Sequence, residues 1–266
     1  MPGLRMRVAV GILLVAALPA FVSGATATRS FHREVPFSAG GSLELSNVNG
    51  SVEISSWDSQ LVRIDAEILV KAGRQKDAER FLDEVEIVVE GSGRRLRVEP
   101  DYPDNRGSGL LDWIFGHRRP EVRVDFRLRV PRKVDLDVEN VNGRVDVSDV
   151  QGDATIRVTN GAVDVRDLAG SLSAHTVNGS VKARLLEVPP DAEIELKTVN
   201  GSIRLYLPED VSAEVEASTV NGGIDSDFPL DVEGKYGPKH ASGELGTGQA
   251  SIRLKTVNGG IDIRKR

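Results

Sequence analysis

From Asp153 to Ala183 the chain reads D-A-T-I-R-V-T-N-G-A-V-D-V-R-D-L-A-G-S-L-S-A-H-T-V-N-G-S-V-K-A. Two periods are superimposed in it. Ala154, Ile156 and Val158 alternate with Asp153, Thr155 and Arg157, and past an Asn-Gly pair Val163 and Val165 alternate with Asp164 and Arg166. Strict alternation marks strands with one buried and one solvated face. The second period is 18 residues: it carries Asn160 onto Asn178, Val163 onto Val181, and Leu136 onto Ala154 and then Leu172. Each period holds two short strands, an Asn-Gly corner and a second corner marked by Gly152 or Gly170.

Working outward, the corner recurs at Asn49, Asn142, Asn160, Asn178, Asn200, Asn221 and Asn258, each followed by Gly. The steps from Asn142 onward are 18, 18, 22, 21 and 37 residues, the last implying an insertion. A fixed period near twenty is the signature of stacked repeats. The fold expected is therefore all-β: a β-solenoid of stacked coils of ~18–22 residues. In such a stack Asn can hydrogen-bond from corner to corner, Gly can take φ > 0 and Thr can bond its neighbours. Asn-Gly between alternating segments is also a hairpin signal, so an antiparallel meander is the alternative.

These motifs resemble the bacterial putative-adhesin family of toast-rack β repeats. The resemblance rests on the T-V-N-G corners, the early N-V-N-G-S-V-E-I-S segment at 47–55, and the helix-then-strand string D-A-E-R-F-L-D-E-V-E-I-V-V at 77–89. It also rests on V-P-R at Val130–Arg132 and the closing V-N-G-G-I-D-I-R. It covers nearly all the chain beyond the leader. It implies an exported or envelope-exposed β-solenoid with an adhesion, scaffold or stress-sensing role, in a family without established enzymatic activity.

Three regions follow. Residues 1–24 read as a signal peptide: Arg5 and Arg7 precede an apolar run from Val8 to Ala17, then Pro19 and small residues, with cleavage expected at Gly24–Ala25 or Ala27–Thr28. The run is shorter than the ~20 residues of a spanning helix. Residues 25–130 form an N-terminal β region with one helix near 74–84, where Ala78, Phe81, Leu82 and Val85 sit at helical spacing. Residues 131–266 carry the solenoid repeats, continuous with it. Gly234–Gly248, Gly-rich and polar, reads as a loop inserted between the last two coils.

Charge and composition narrow the chemistry. The chain has 34 Lys and Arg against 40 Asp and Glu; without Arg5 and Arg7 the balance is 32 against 40, or −8. That argues against nucleic acid as a partner, since phosphate neutralisation dominates such binding. Zero cysteines exclude disulfides, thiolate metal sites and a lipoprotein anchor. No cofactor is expected. His32, His117, His175 and His240 are scattered, without metal-ligand spacing. Asp146 and Asp164 stack at one period and could serve as acid and base for polysaccharide cleavage if held at a suitable separation. Lys182, Arg166 and Arg184 interleave with them, as in a mixed-charge ladder that keeps a sheet soluble.

Two further clusters are candidate contact sites. Arg94, Arg95, Arg97, Arg118, Arg119, Arg123, Arg127, Arg129, Arg132 and Lys133 form a local basic excess. It reads either as the polar side of strands or as a patch for anionic polymers or lipid headgroups. Gly107–Gly116 brings Leu110, Leu111, Trp113, Ile114 and Phe115 together beside Arg118 and Arg119. Such a tip suits a partner pocket or a lipid interface, or else folds back to cap the core. The function expected is a non-catalytic envelope binding or scaffold module, periplasmic or at the cell surface. The alternatives are an accessory subunit of a membrane regulatory system and a polysaccharide-active enzyme.

Overall fold

The computed structural model describes residues 25–102, 120–234 and 237–266. The signal-peptide segment and the apolar cluster from Leu110 to Phe115, with Arg118 and Arg119, lie outside the described residues. Among those described, the chain forms nineteen strands and one helix. In chain order these are β1 (Ala25–Asn49), β2 (Val52–Trp57), β3 (Leu61–Ala72), α1 (Gln75–Glu84), β4 (Glu86–Asp101), β5 (Glu121–Pro131), β6 (Val134–Asn142) and β7 (Val145–Ser148). Then come β8 (Ala154–Asn160), β9 (Val163–Ala169), β10 (Leu172–Asn178), β11 (Val181–Glu187), β12 (Glu193–Asn200) and β13 (Ile203–Leu207). The last are β14 (Ala213–Asn221), β15 (Ile224–Ser226), β16 (Asp231–Glu233), β17 (Lys239–Leu245), β18 (Ala250–Asn258) and β19 (Ile261–Lys265).

The unit is one coil. β8 runs to Asn160, the chain turns, and β9 leaves on the opposite sheet. β8 lies parallel between β6 and β10, with Asn142, Asn160 and Asn178 in register. β9 lies parallel between β7 and β11, with Val145, Val163 and Val181 in register. A meander would pair successive strands antiparallel, so these parallel ladders identify a solenoid. Ile156, Val165, Leu172 and Ala183 point between the two sheets and are fully buried. Each coil thus contributes one layer to a core that continues from Ala27 to Ile263.

Sheet A runs in space β1, β3, β5, β2, β7, β9, β11, β13, β19, β15. Sheet B runs β4, β1, β6, β8, β10, β12, β18, β14, β17, β16. β1 belongs to both: Ala25–Pro36 pairs antiparallel with β3, and Gly41–Asn49 pairs parallel with β6. The helix buries Ala78 and Leu82 and packs on β1 and β3. Arg29 and Arg33 of β1 reach the carbonyls of Val85 and Val89 just beyond the helix.

Two features depart from the sequence expectation. First, the last coil is not last in space. β18 pairs with both β12 and β14, and β19 with both β13 and β15. The chain therefore builds the outermost coil first and then doubles back to fill the gap beneath it. Second, the segment expected to be a loop contains β17, which pairs antiparallel with β14 from Ala213↔Leu245 to Thr219↔Lys239. An exposed edge strand is a template for aggregation. β17 covers that edge, and only three-residue β16, with exposed Asp231 and Glu233, lies beyond it.

Candidate functional site

At the corners, all seven Asn side chains join one ladder. Asn221 Nδ2 donates to Asn258 Oδ1 (2.8 Å), Asn258 to Asn200 (2.8 Å), Asn200 to Asn178 (2.9 Å) and Asn178 to Asn160 (2.8 Å). Asn160 donates to Asn142 (2.9 Å) and Asn142 to Asn49 (2.7 Å), whose own amide ends on the Val122 carbonyl (3.3 Å). Every donor points the same way, so each bond polarises the next.

The glycines serve a different purpose from the one expected. Among the seven corner glycines only Gly50 (φ +125°) and Gly143 (φ +139°) occupy the left-handed region. All seven are needed for closeness. A Cβ on Gly161, Gly179, Gly201 or Gly259 would stand 2.0 Å from the carbonyl oxygen of the next corner glycine.

Beneath the Asn row lies a buried row of hydroxyls. Thr176, Thr198, Thr256 and Thr219 donate through Oγ1 to the carbonyls of Gly161, Gly179, Gly201 and Gly259, at 2.8–2.9 Å. At the other end Asn140 Nδ2 donates to the Gly50 carbonyl (2.9 Å). Val158 interrupts the row, so the Gly143 carbonyl receives no hydroxyl there. Val158→Thr is expected to complete the rung and raise stability by ~0.5–1.5 kcal/mol, one net hydrogen bond. Urea denaturation checks this; a lower midpoint would mean that the hydroxyl cannot reach.

The outer face of sheet A is a grid. One row crosses all ten strands: His32, Asp65, Arg127, Glu53, Asp146, Asp164, Lys182, Arg204, Asp262 and Asp225. Asp146 and Asp164 do meet, but Arg144 grips both. Its Nε lies 2.8 Å from each Asp146 oxygen and its Nη2 lies 2.9 Å from Asp164. The hydrogen bond with Asp146 chiefly pushes the guanidinium above its ordinary pKa. One guanidinium thus clamps the two carboxylates together across β7 and β9. Elsewhere in the row His32 meets Asp65 at 2.6 Å and Arg127 meets Glu53 at 3.2 Å. On sheet B, His175 meets Glu195 at 2.9 Å. No cluster of metal-ligating side chains occurs among the described residues.

The parallel row on sheet A is different. It runs Glu34, Arg63, Arg129, Ser55, Ser148, Arg166, Arg184, Tyr206, Arg264. Arg63 pairs with Glu34 (2.8 Å), and Arg264 with Asp225 (2.6 Å) and Asp227 (3.0 Å). Arg129, Arg166 and Arg184 form no ion pair among the described residues. The Arg184 guanidinium lies 5.3 Å, and the Lys182 ammonium 5.8 Å, from the Tyr206 ring centroid. In contrast, four of the eight described residues of the basic excess noted around residues 94–133 are neutralised locally. Arg97 pairs with Glu99, Arg123 with Asp125, Arg127 with Glu53 and Arg132 with Asp58. Tyr206 escapes sequence inspection because the coil step changes from 18 to 22 residues at β13. Counting back 22 from it reaches Arg184.

Parallel coils, a continuous corner ladder and capped ends define a β-solenoid of the toast-rack type. The chain belongs to the Toastrack DUF4097 family, whose model matches residues 120–264. Among solved structures it is similar to a putative cell adhesion protein from Clostridium sporogenes, at 14% identity over 90% of this chain and 100% of that one, with a TM-score of 0.48. A putative adhesin from Bacteroides fragilis is similar at 10% identity over 88% of this chain and 97% of that one, with a TM-score of 0.41. No curated protein matches the chain.

Proposed function

We propose that this protein is an exported, non-catalytic binding module of the bacterial envelope, and that its ligand is an anionic polymer lying across sheet A. The observation that carries the reading is the row of Arg129, Arg166 and Arg184 beside Tyr206. Its arginines are uncompensated by carboxylates among the described residues, in a chain whose formal charge is −6. Guanidinium forks match carboxylates and sulfates bidentately. Ser55 and Ser148 leave a low, hydroxyl-lined stretch between Arg129 and Arg166, and the Tyr206 ring offers a face on which a sugar can stack. Stacked strands repeat every ~4.8 Å, so cations along the row recur at intervals suited to a linear, repeating polyanion. Export is supported by the N-terminal leader pattern.

The test is titration of purified protein with polygalacturonate, an uncharged polysaccharide and anionic lipid vesicles. Binding to polygalacturonate alone, weakening as salt is added, is the expected result. Arg166→Ser with Arg184→Ser should weaken it roughly tenfold, from two surface contacts at up to ~1 kcal/mol each. Arg157→Ser on the opposite sheet should leave it unchanged. Binding that ignores the paired substitution, or that prefers vesicles, would sink the proposal. So would polymer shortening that Asp164→Asn abolishes, because the protein would then be an enzyme.

A further inference from the structure

The chain repeats one seven-residue string, T-V-N-G-G-I-D, at Thr219–Asp225 and again at Thr256–Asp262. The local sequence is identical, yet the doubling back of the chain gives the two copies opposite situations. Asn258 sits inside the ladder, between Asn200 and Asn221. Asn221 is the terminal rung.

The difference reaches the backbone. At six corners the glycine N–H donates to the Asn carbonyl of the adjoining coil. Gly50 donates to Asn142, Gly143 to Asn160, Gly161 to Asn178, Gly179 to Asn200, Gly201 to Asn258 and Gly259 to Asn221, all at 2.9–3.0 Å. Gly222 has no further coil above it, and its N–H has no acceptor among the described residues. It is also the only corner glycine of the seven that is exposed.

We propose that Asn221 is a site of spontaneous, fold-directed deamidation. The Gly222 backbone nitrogen loses its proton to solvent and attacks Asn221 Cγ. A C–N bond forms, the bond from Cγ to Nδ2 breaks, and ammonia leaves with the protons solvent returns. Water then opens the resulting succinimide at either carbonyl, giving aspartate or isoaspartate, with no oxidant or reductant involved. The attack needs a free amide nitrogen and a backbone able to bring it to Cγ. Among the described residues Gly222 meets the first condition, and the second is eased by the lack there of a coil above it and by Gly223 next in the chain, where an added Cβ would meet no atom within 4 Å. At the six other corners the nitrogen is already bonded and packed between coils, so reaction requires local opening first.

Conversion has consequences for the cap. Asn258 Oδ1 loses its only ladder donor, a negative charge appears at the exposed end, and isoaspartate lengthens the backbone by one carbon. That extra atom falls where Gly222 is pressed on the Gly259 carbonyl, 1.9 Å from any added Cβ. The terminal coil should loosen first as the protein ages.

The experiment is incubation of the folded mature protein in mildly alkaline buffer at 37 °C, followed by peptide mass mapping and isoaspartate detection. Asn221 should convert at least about tenfold faster than Asn258, since each ~1.4 kcal/mol of opening free energy slows the interior corner tenfold. In denaturant the two should convert at the same rate, because their flanking residues are the same. Equal rates in the folded protein, or no conversion at Asn221 while denatured protein reacts, would overturn the proposal.

Discussion

Gly179→Ala is expected to destabilise the protein by more than ~3 kcal/mol, beyond the usual range for overpacking. The added Cβ would lie 2.0 Å from the Gly161 carbonyl oxygen and 2.5 Å from its carbon. Neither neighbour is a flexible side-chain end that can swing away. Relief requires the two coils to separate, and separation lengthens other contacts at once. These are Asn178 to Asn160, Thr176 to the Gly161 carbonyl, and Gly161 N–H to the Asn178 carbonyl. The control is Gly223→Ala, where no atom lies within 4 Å, and there the change should stay within ~0.5 kcal/mol. Urea unfolding of both variants measures the contrast. Similar midpoints would mean that the corners are not in tight contact.

The second large effect concerns the C-terminus. Ending the chain after Gln249 removes β18 and β19 and is expected to abolish cooperative unfolding altogether. In an ordinary solenoid the last coil is an end piece, and its loss trims a stack whose units touch only neighbours. Here the removed strands lie between β12/β13 and β14/β15. Ile252, Leu254, Ile261 and Ile263, all buried, go with them. At ~1.5–3 kcal/mol for each buried aliphatic side chain, that alone rivals the ~5–15 kcal/mol stability of a typical domain. The outermost coil and its cover strand β17 would also lose the platform on which they rest. Circular dichroism melting and limited proteolysis provide the check. A truncated protein that melts cooperatively within ~2 kcal/mol of the full chain would contradict the inserted position.

The stack could be read from residues because equivalence along it is covalent. Stepping 18 from Val145 reaches Val163 and then Val181, and the structure places these side by side. The inverted order at the end could not be read that way. Thr219–Asp225 and Thr256–Asp262 are identical, so nothing local says which copy lies outermost. β17 was hidden for a related reason: K-H-A-S-G-E-L has an internal glycine and little alternation, and its partner strand is made only by tertiary pairing. The corner glycines stand out in the sequence for conformational freedom, whereas all seven are required by the nearness of another backbone. At the carboxylates, stacking was visible from the 18-residue step. The clamp was not, because Arg144 reaches both Asp146 and a residue twenty positions away. The Arg129–Arg184 row needed the arrangement of β5, β2 and β7, which sequence order scrambles.

The uniform stretch from β6 to β13 has an evolutionary corollary. Its coils share register, corner chemistry and core layers, and the special pieces sit outside it: β3 and α1 at one end, the doubled-back coil and β17 at the other. A duplicated eighteen-residue period copied from Ala154–Ser171 would enter as one more storey. It would move the two ends apart by one strand spacing, ~4.8 Å, without altering either. A duplication past Leu207 would instead have to solve the crossing of the final segment anew. Members of such a lineage should therefore vary in length through the middle, and the outer face of sheet A would lengthen with them like a ruler gaining marks.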